Sequence, residues 1–241
     1  MKTFLVITLL MMVHLTMGDK AHASSEYERS PLDLARDKTS KPNEILEFLN
    51  LKQGDHVLDF LGGDGYYSVQ LKKIVGSEGK VVLHNNKAYL PFVEKSLKER
   101  IAKGEFDKIT SLVSEADDLK FGYEKFDSAI IVLTYHDFFH KDEGWDFPPD
   151  KVIPQLLKSL KKGGKLLIID HQAIKGAGKS VTKSLHRIEG SFVKQDIVSR
   201  GFKFVEESSL LKNDKDPLDI SVFTPQVRRK TDRFVYLFEK K

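Results

Sequence analysis

The segment His56-Val-Leu-Asp-Phe-Leu61-Gly62-Gly63-Asp64-Gly65 sets a carboxylate inside an apolar run that ends in a cluster of glycines. A glycine turn directly after a buried strand lets the backbone double back tightly and lets a ligand come close to it. A dinucleotide fingerprint would place glycine or alanine at the third position, where Gly63-x-Gly65 is followed by Ser68. Asp59, inside the strand, points instead to a ligand that carries an amino group and hydroxyls; the alternative is a carboxylate that caps or braces the loop. Three later stretches gather acid–base groups: Thr134-Tyr135-His136-Asp137, Asp170-His171 and His186-Arg187. An imidazole titrates near neutrality, so His136 suits a proton acceptor, with Tyr135 or Asp137 orienting a substrate and His171 as second choice. Plainer readings stand beside these: His136 and Asp137 as helix caps, His171 as a loop brace, His186 and Arg187 as helix surface rather than a clasp for an anion. His136 and His140 also share the His-x-x-x-His spacing of metalloproteases. That motif needs a glutamate and a sustained helix, whereas this segment runs into Gly144 and Pro148-Pro149, so no metal is expected.

The elements that must position these groups alternate. Strands are predicted at residues 56–61, 80–83, 109–113, 129–133, 165–169, 202–206 and 234–238. Between them, helices are predicted at 66–75, at 89–103 with Phe92, Val93, Leu97 and Ile101 on one side, at 153–160, and around 193–199. An earlier helix, capped by Asn43, carries Ile45, Leu46, Phe48 and Leu49 on one face. Gly163-Gly164 is read as the stop of the fourth helix. Such alternation implies an α/β fold with a mostly parallel sheet covered on both faces. Residues 212–233 form a polar connection long enough to be either functional or disordered.

The 241 residues suit one domain, and the absence of cysteine excludes disulfides and thiolate metal sites. A formal charge of +4, with both signs interspersed, argues for no nucleic-acid partner. Lys2, an apolar run from Phe4 to Val13 and Ala21-His22-Ala23 read as a signal peptide over residues 1–23. The expected organisation is that leader, a polar N-terminal arm at 24–43 and one domain at 44–241. The protein is therefore expected to be exported, periplasmic or secreted, with no stable membrane anchor once the leader is cleaved. The mature chain is expected to begin at Ser24; an intact mass that still contains Met1, recovered from membranes, would oppose this.

With these residues in view, the glycine-rich segment resembles motif I of class I S-adenosylmethionine-dependent methyltransferases. Gly79-Lys-Val-Val82 resembles the start of their second strand, and Glu115-Ala116-Asp117-Asp118-Leu119 their acidic-alanine segment. Leu160-Lys-Lys-Gly163-Gly164-Lys-Leu-Leu-Ile-Ile-Asp170-His171, which runs Leu160, Lys161, Lys162, Gly163 and onward, resembles their turn into the fifth strand. The similarity covers roughly residues 45–206. The leader, the Thr134–Asp137 stretch, Leu185-His-Arg-Ile188 and Thr231-Asp-Arg-Phe234 are similar to an exported group of predicted methyltransferases.

The resemblance implies a Rossmann-like, doubly wound sheet of seven strands in the order 3-2-1-4-5-7-6. It implies S-adenosylmethionine as cofactor, with Gly62, Gly63 and Gly65 at its methionine part and Asp59 accepting from its ammonium group. Glu115 and the backbone of Ala116 would meet the adenine, flanked by Leu119 and Phe121. Asn85 stands where an acidic residue receives the ribose hydroxyls, and Leu61 where the family has its first glycine. Residues after the fourth strand lie beside the methyl group, which puts Thr134 at the cofactor and His136 next to a small-molecule acceptor. The function implied is methyl transfer to that acceptor. The alternative is a noncatalytic exported protein that keeps the fold and binds a nucleoside-like or other small ligand. The oligomeric state is left open.

Overall fold

The computed structural model describes residues 29–241, so the leader and its cleavage site lie outside the described residues. At its centre is β1 (His56–Phe60), whose residues from Val57 onward are all buried because helices cover both faces of the sheet. The chain then runs through α3 (Tyr66–Val75), β2 (Lys80–Asn85), α4 (Leu90–Ala102), β3 (Ile109–Val113) and β4 (Phe126–Val132). It continues through α5 (Pro149–Ser159), β5 (Leu160–His171), α6 (Thr182–Leu185), α7 (Gly190–Ser199), β6 (Phe202–Ser208) and β7 (Arg233–Lys240), after α1 (Pro31–Ser40) and α2 (Pro42–Leu49) near its start. The seven strands lie in the order β3-β2-β1-β4-β5-β7-β6, as the resemblance implies. Among the described residues, only β7 runs against its neighbours in the sheet. The apolar core divides into two clusters, one headed by Leu58, Phe60, Ile131 and Ile168, the other by Val57, Ile130, Leu167 and Val235. Alternate residues of the central strands thus point to opposite layers. Among the described residues no helix is long and apolar enough to cross a membrane.

Four local expectations need correction. The polar arm contains a helix, α1 (Pro31–Ser40), started by Pro31 and capped by Ser30 Oγ, which accepts from the Asp33 amide at 3.1 Å. It is held by charge: Arg100 of α4 donates to both Asp33 carboxylate oxygens at 2.8 Å and to Glu105 at 2.7 Å. That pairing turns Arg100 inward, so Phe92 and Ile101, expected on the buried side of α4, are 82% and 56% exposed. The helix α2 (Pro42–Leu49) starts at Pro42 from a left-handed Lys41 rather than from an Asn43 cap. Finally, Gly163-Gly164 do not stop a helix. The strand β5 begins at Leu160, and its pairing with β4 slips between Phe126 and Ser128, so residues 161–164 bulge out with Gly163 at φ 71°.

Residues 212–233 are ordered by one buried pair. Arg187 is fully buried and donates to both oxygens of Asp216 at 2.8 and 2.9 Å, to the Ile220 carbonyl at 2.7 Å and to the Gln172 carbonyl at 2.9 Å. Asp216 also accepts from the Asp232 amide at 2.6 Å. The segment is thereby folded back so that Val222 donates its amide to the Leu185 carbonyl at 3.1 Å.

Candidate active site

The carboxyl ends of β1 and β4 open into two adjoining cavities. The smaller, about 270 Å³, is bounded by Asp59, Gly62, Gly63, Tyr67 and Thr134. Asp59 is 2% exposed, and one of its oxygens accepts from Ser68 Oγ at 2.7 Å. Burial pushes its carboxyl up to about 6, although the Ser68 hydroxyl and Arg36 oppose the rise and Asp64 adds to it. Gly62 is dictated by this carboxylate: a Cβ there would lie 2.3 Å from Asp59 Cγ. Gly63, at φ 64°, would meet the Tyr89 ring at 3.3 Å. Leu61 takes the left-handed conformation a glycine would adopt easily (φ 54°) and is itself buried. A ligand ammonium facing Asp59 needs the ionised carboxylate. Affinity for such a ligand is thus expected to be full above neutrality and to fall as the pH drops through about 6, read by titration calorimetry at several pH values. A pH-independent affinity would remove Asp59 from the contact.

The opposite end of the expected cofactor site is more enclosed. Asn85 is buried, its Nδ2 donating to the Gly63 carbonyl at 2.8 Å and its Oδ1 accepting from the Gly63 amide at 3.0 Å. It braces the glycine loop, and in this conformation its amide is not free for ribose hydroxyls. Replacement Asn85→Asp would set a carboxylate against the Gly63 carbonyl, so a loss of about 1–3 kcal/mol in stability is expected by chemical denaturation. No loss would mean that the amide does not hold the loop. Glu115 accepts from the Lys87 amide at 3.1 Å, while Ala116, Leu119 and Phe121 are buried in the core. Phe121 meets Phe60 edge-on at 5.2 Å, which is packing rather than a ligand face. Gly65 does not line either cavity; a Cβ there would strike the Phe106 ring at 2.5 Å, so its role is to start α3 in a confined space.

The larger cavity, about 720 Å³, has aromatic walls (Tyr89, Phe92, Trp145, Phe223) and a floor of His136, Asp137, His140, His171 and His186. Tyr89, Phe92, Leu133 and Thr134 border both cavities. Thr134 is 7% exposed, and its hydroxyl has no partner among the described residues. His136, 3% exposed, begins a 3₁₀ turn, His136–Phe139. Its Nδ1 lies 2.8 Å from Asp170 Oδ1 and its backbone amide donates to Asp170 Oδ2 at 2.8 Å. Its Nε2 is 3.1 Å from Asp137 Oδ1 and 3.3 Å from His186 Nδ1. Burial would lower the His136 pKa, but Asp170 and Asp137 outweigh it and push the group up to about 10. The expectation of an imidazole near its ordinary pKa is therefore corrected: the two carboxylates beside His136 raise it. Burial raises the Asp137 carboxyl, yet His136 and His186 bring it well below the usual carboxylate range.

Two more expectations change with the geometry. Tyr135 is fully buried and its hydroxyl donates to Asp196, away from the cavities, so it does not orient a substrate. Arg187 pins residues 212–233 and is no clasp for an anion. His171 does border the large cavity, with Nδ1 2.7 Å from Thr231 Oγ1; burial, and then the charge of His136, hold its pKa well below the ordinary value. The aromatic walls were missed in the sequence reading. Tyr89 and Phe92, three apart at the start of α4, carried the available signal, since the helix turns its exposed apolar residues toward the cleft.

The chain matches the ubiE/COQ5 methyltransferase family over residues 32–189, more than half its length. It is 27% identical over 178 residues to the ubiquinone/menaquinone biosynthesis C-methyltransferase UbiE of Pseudomonas aeruginosa, covering 72% of this chain and 65% of that one. The UbiE of Stutzerimonas stutzeri is 26% identical over 178 residues with the same coverage. The chain thus spans somewhat less than two thirds of the length of these relatives. A SAM-dependent methyltransferase from Aquifex aeolicus has the same fold, with a TM-score of 0.62 at 20% identity, over 86% of this chain and 93% of that one. The [4+2]-cyclase SpnF also shares the fold, with a TM-score of 0.60 at 13% identity, over 90% and 84%.

Proposed function

The chain belongs to the ubiE/COQ5 methyltransferase family, and from that premise we propose that it is an S-adenosylmethionine-dependent methyltransferase whose acceptor is a small molecule with a flat, oxygen-bearing ring. The observation that carries this reading is the junction of the two cavities at Tyr89, Phe92, Leu133 and Thr134. The small cavity fits the amino-acid end of the cofactor: a buried carboxylate for an ammonium, glycines that cannot be larger, and an unpartnered hydroxyl. When bound, S-adenosylmethionine supplies an electrophilic methyl group. Asp59 would hold the ammonium, Gly62 and Gly63 would keep the backbone close, and Thr134 stands at the passage to the large cavity. There the rings of Tyr89, Trp145 and Phe223 would hold a flat acceptor and exclude water, so that holding donor and acceptor in line supplies much of the rate. The names of the UbiE relatives, C-methyltransferases of ubiquinone and menaquinone biosynthesis, support an acceptor with a hydroxylated or quinol-type ring.

The test is transfer of label from methyl-tritiated S-adenosylmethionine to a panel of quinols, catechols, simple phenols and aliphatic amines. Labelled product with the oxygenated rings and none with the amines is expected; transfer to the amines alone would overturn the acceptor class. The Asn85–Gly63 bonds favour a second reading, a noncatalytic ligand-binding protein. It would be supported by Asp59-dependent binding of ammonium-bearing ligands without any methyl transfer. The reading includes export, for which the support is the leader at residues 1–23.

A further inference from the structure

We propose that His136, Asp137 and His186 form a binding site for a divalent transition-metal ion of the zinc type. A nitrogen or oxygen of each residue lies within 4.8 Å of those of the other two. The individual separations are tighter: His136 Nε2 to Asp137 Oδ1 3.1 Å, His136 Nε2 to His186 Nδ1 3.3 Å, and His186 Nδ1 to Asp137 Oδ1 3.5 Å. Ligands about 2.0–2.1 Å from a tetrahedral ion are about 3.3–3.4 Å apart, so these three atoms already outline one face of such a polyhedron.

The surroundings are those of a metal site. His136 Nδ1 is turned to Asp170, which is fully buried and fixed by the amides of His136 and His171 at 2.8 and 2.7 Å. A carboxylate behind a histidine in this way sets the ring's orientation and leaves Nε2 facing the ion. Among the described residues, neither Asp137 nor Asp170 pairs with a lysine or arginine; only imidazoles face them, and an ion bound at His136 Nε2 would take the place of the proton there. His186 reaches the cluster from the left-handed position, φ 52°, that closes the helix α6. His140 Nε2 lies 3.5 Å from Asp137 Oδ1, and its ring meets that of His186 edge-on at 5.6 Å. The His136-x-x-x-His140 spacing, from which no metal is expected, supplies one imidazole of the cluster. The second imidazole comes from His186, fifty positions away, which only the fold brings near.

An ion here would turn its open position toward the large cavity and hence toward an oxygen of the acceptor. That role rests on the methyltransferase reading; the metal site does not. The test therefore uses no methyl donor. Metal-stripped protein is titrated with Co²⁺, followed by its visible absorption, and with Zn²⁺ by calorimetry. One ion per chain is expected, with the intense visible bands of low-coordinate Co²⁺ and their loss when Zn²⁺ competes. His186→Ala, at a partly exposed side chain outside the apolar core clusters, and Asp137→Asn should each weaken binding by at least about tenfold. Circular dichroism of both variants confirms that they are folded. Absence of binding by the wild-type protein, or equal binding by both folded variants, overturns the proposal.

Discussion

Arg187→Ala is expected to lower folding stability by about 3–5 kcal/mol, because it leaves the Asp216 carboxylate buried without its partner. Both side chains are fully buried, and the guanidinium also serves the Ile220 and Gln172 carbonyls. The loss is thus distributed over residues 212–233 and the end of β5. A comparison separates charge from packing. The double replacement Arg187→Met with Asp216→Leu removes both ions and should recover part of the loss, since a buried pair often contributes little net stability against an apolar isostere. Urea denaturation of the two variants reads the effect. A loss below about 1 kcal/mol for Arg187→Ala would mean that this segment is held by other contacts. Phe223 belongs to the same segment and walls the large cavity, so Arg187→Ala should also impair acceptor binding more than donor binding.

Asp59→Asn is expected to weaken binding of S-adenosylhomocysteine, which keeps the ammonium group, by about 10–100-fold. Hydrogen bonds to charged groups contribute about 1.5–3 kcal/mol, and the amide keeps the shape while losing the charge. Ser68 still has an oxygen to donate to, so the fold should remain intact. The same variant should lose the fall in affinity below about pH 6, because the group that titrates has been removed. Loss of affinity with the pH dependence retained would assign that titration to another residue.

The sheet was legible because its signals are local. Apolar runs of strand length, each followed by a glycine turn and a helical pattern, give the order of elements, and Asp59 with Gly62 and Gly63 stands out at the end of the first of them. What the sequence hid arises from pairings across the chain. Nothing near Asn85 announces that its amide will close on Gly63, twenty-two residues earlier. The pKa of His136 depends on Asp170, thirty-four residues away on the neighbouring strand, so an ordinary imidazole was the natural expectation. Arg100 overrode the amphipathic reading of α4 because its partners Asp33 and Glu105 lie outside that helix. The helix α1 was missed because it is held by that ion cluster more than by an apolar stripe; its signals were Ser30, Pro31 and the charges of Asp33 and Lys38 at its two ends.

The central claim is that the donor's amino-acid end lies against Asp59 and the glycines at the end of β1. Titration calorimetry of S-adenosylhomocysteine into the wild-type protein and into Gly62→Ala tests it most directly. The account predicts one site per chain in the wild type. It predicts severely weakened binding in a folded Gly62→Ala protein, because the added Cβ would fall 2.3 Å from Asp59 Cγ and displace the carboxylate. Absence of binding to the wild type, or equal affinity in the two proteins, would contradict it.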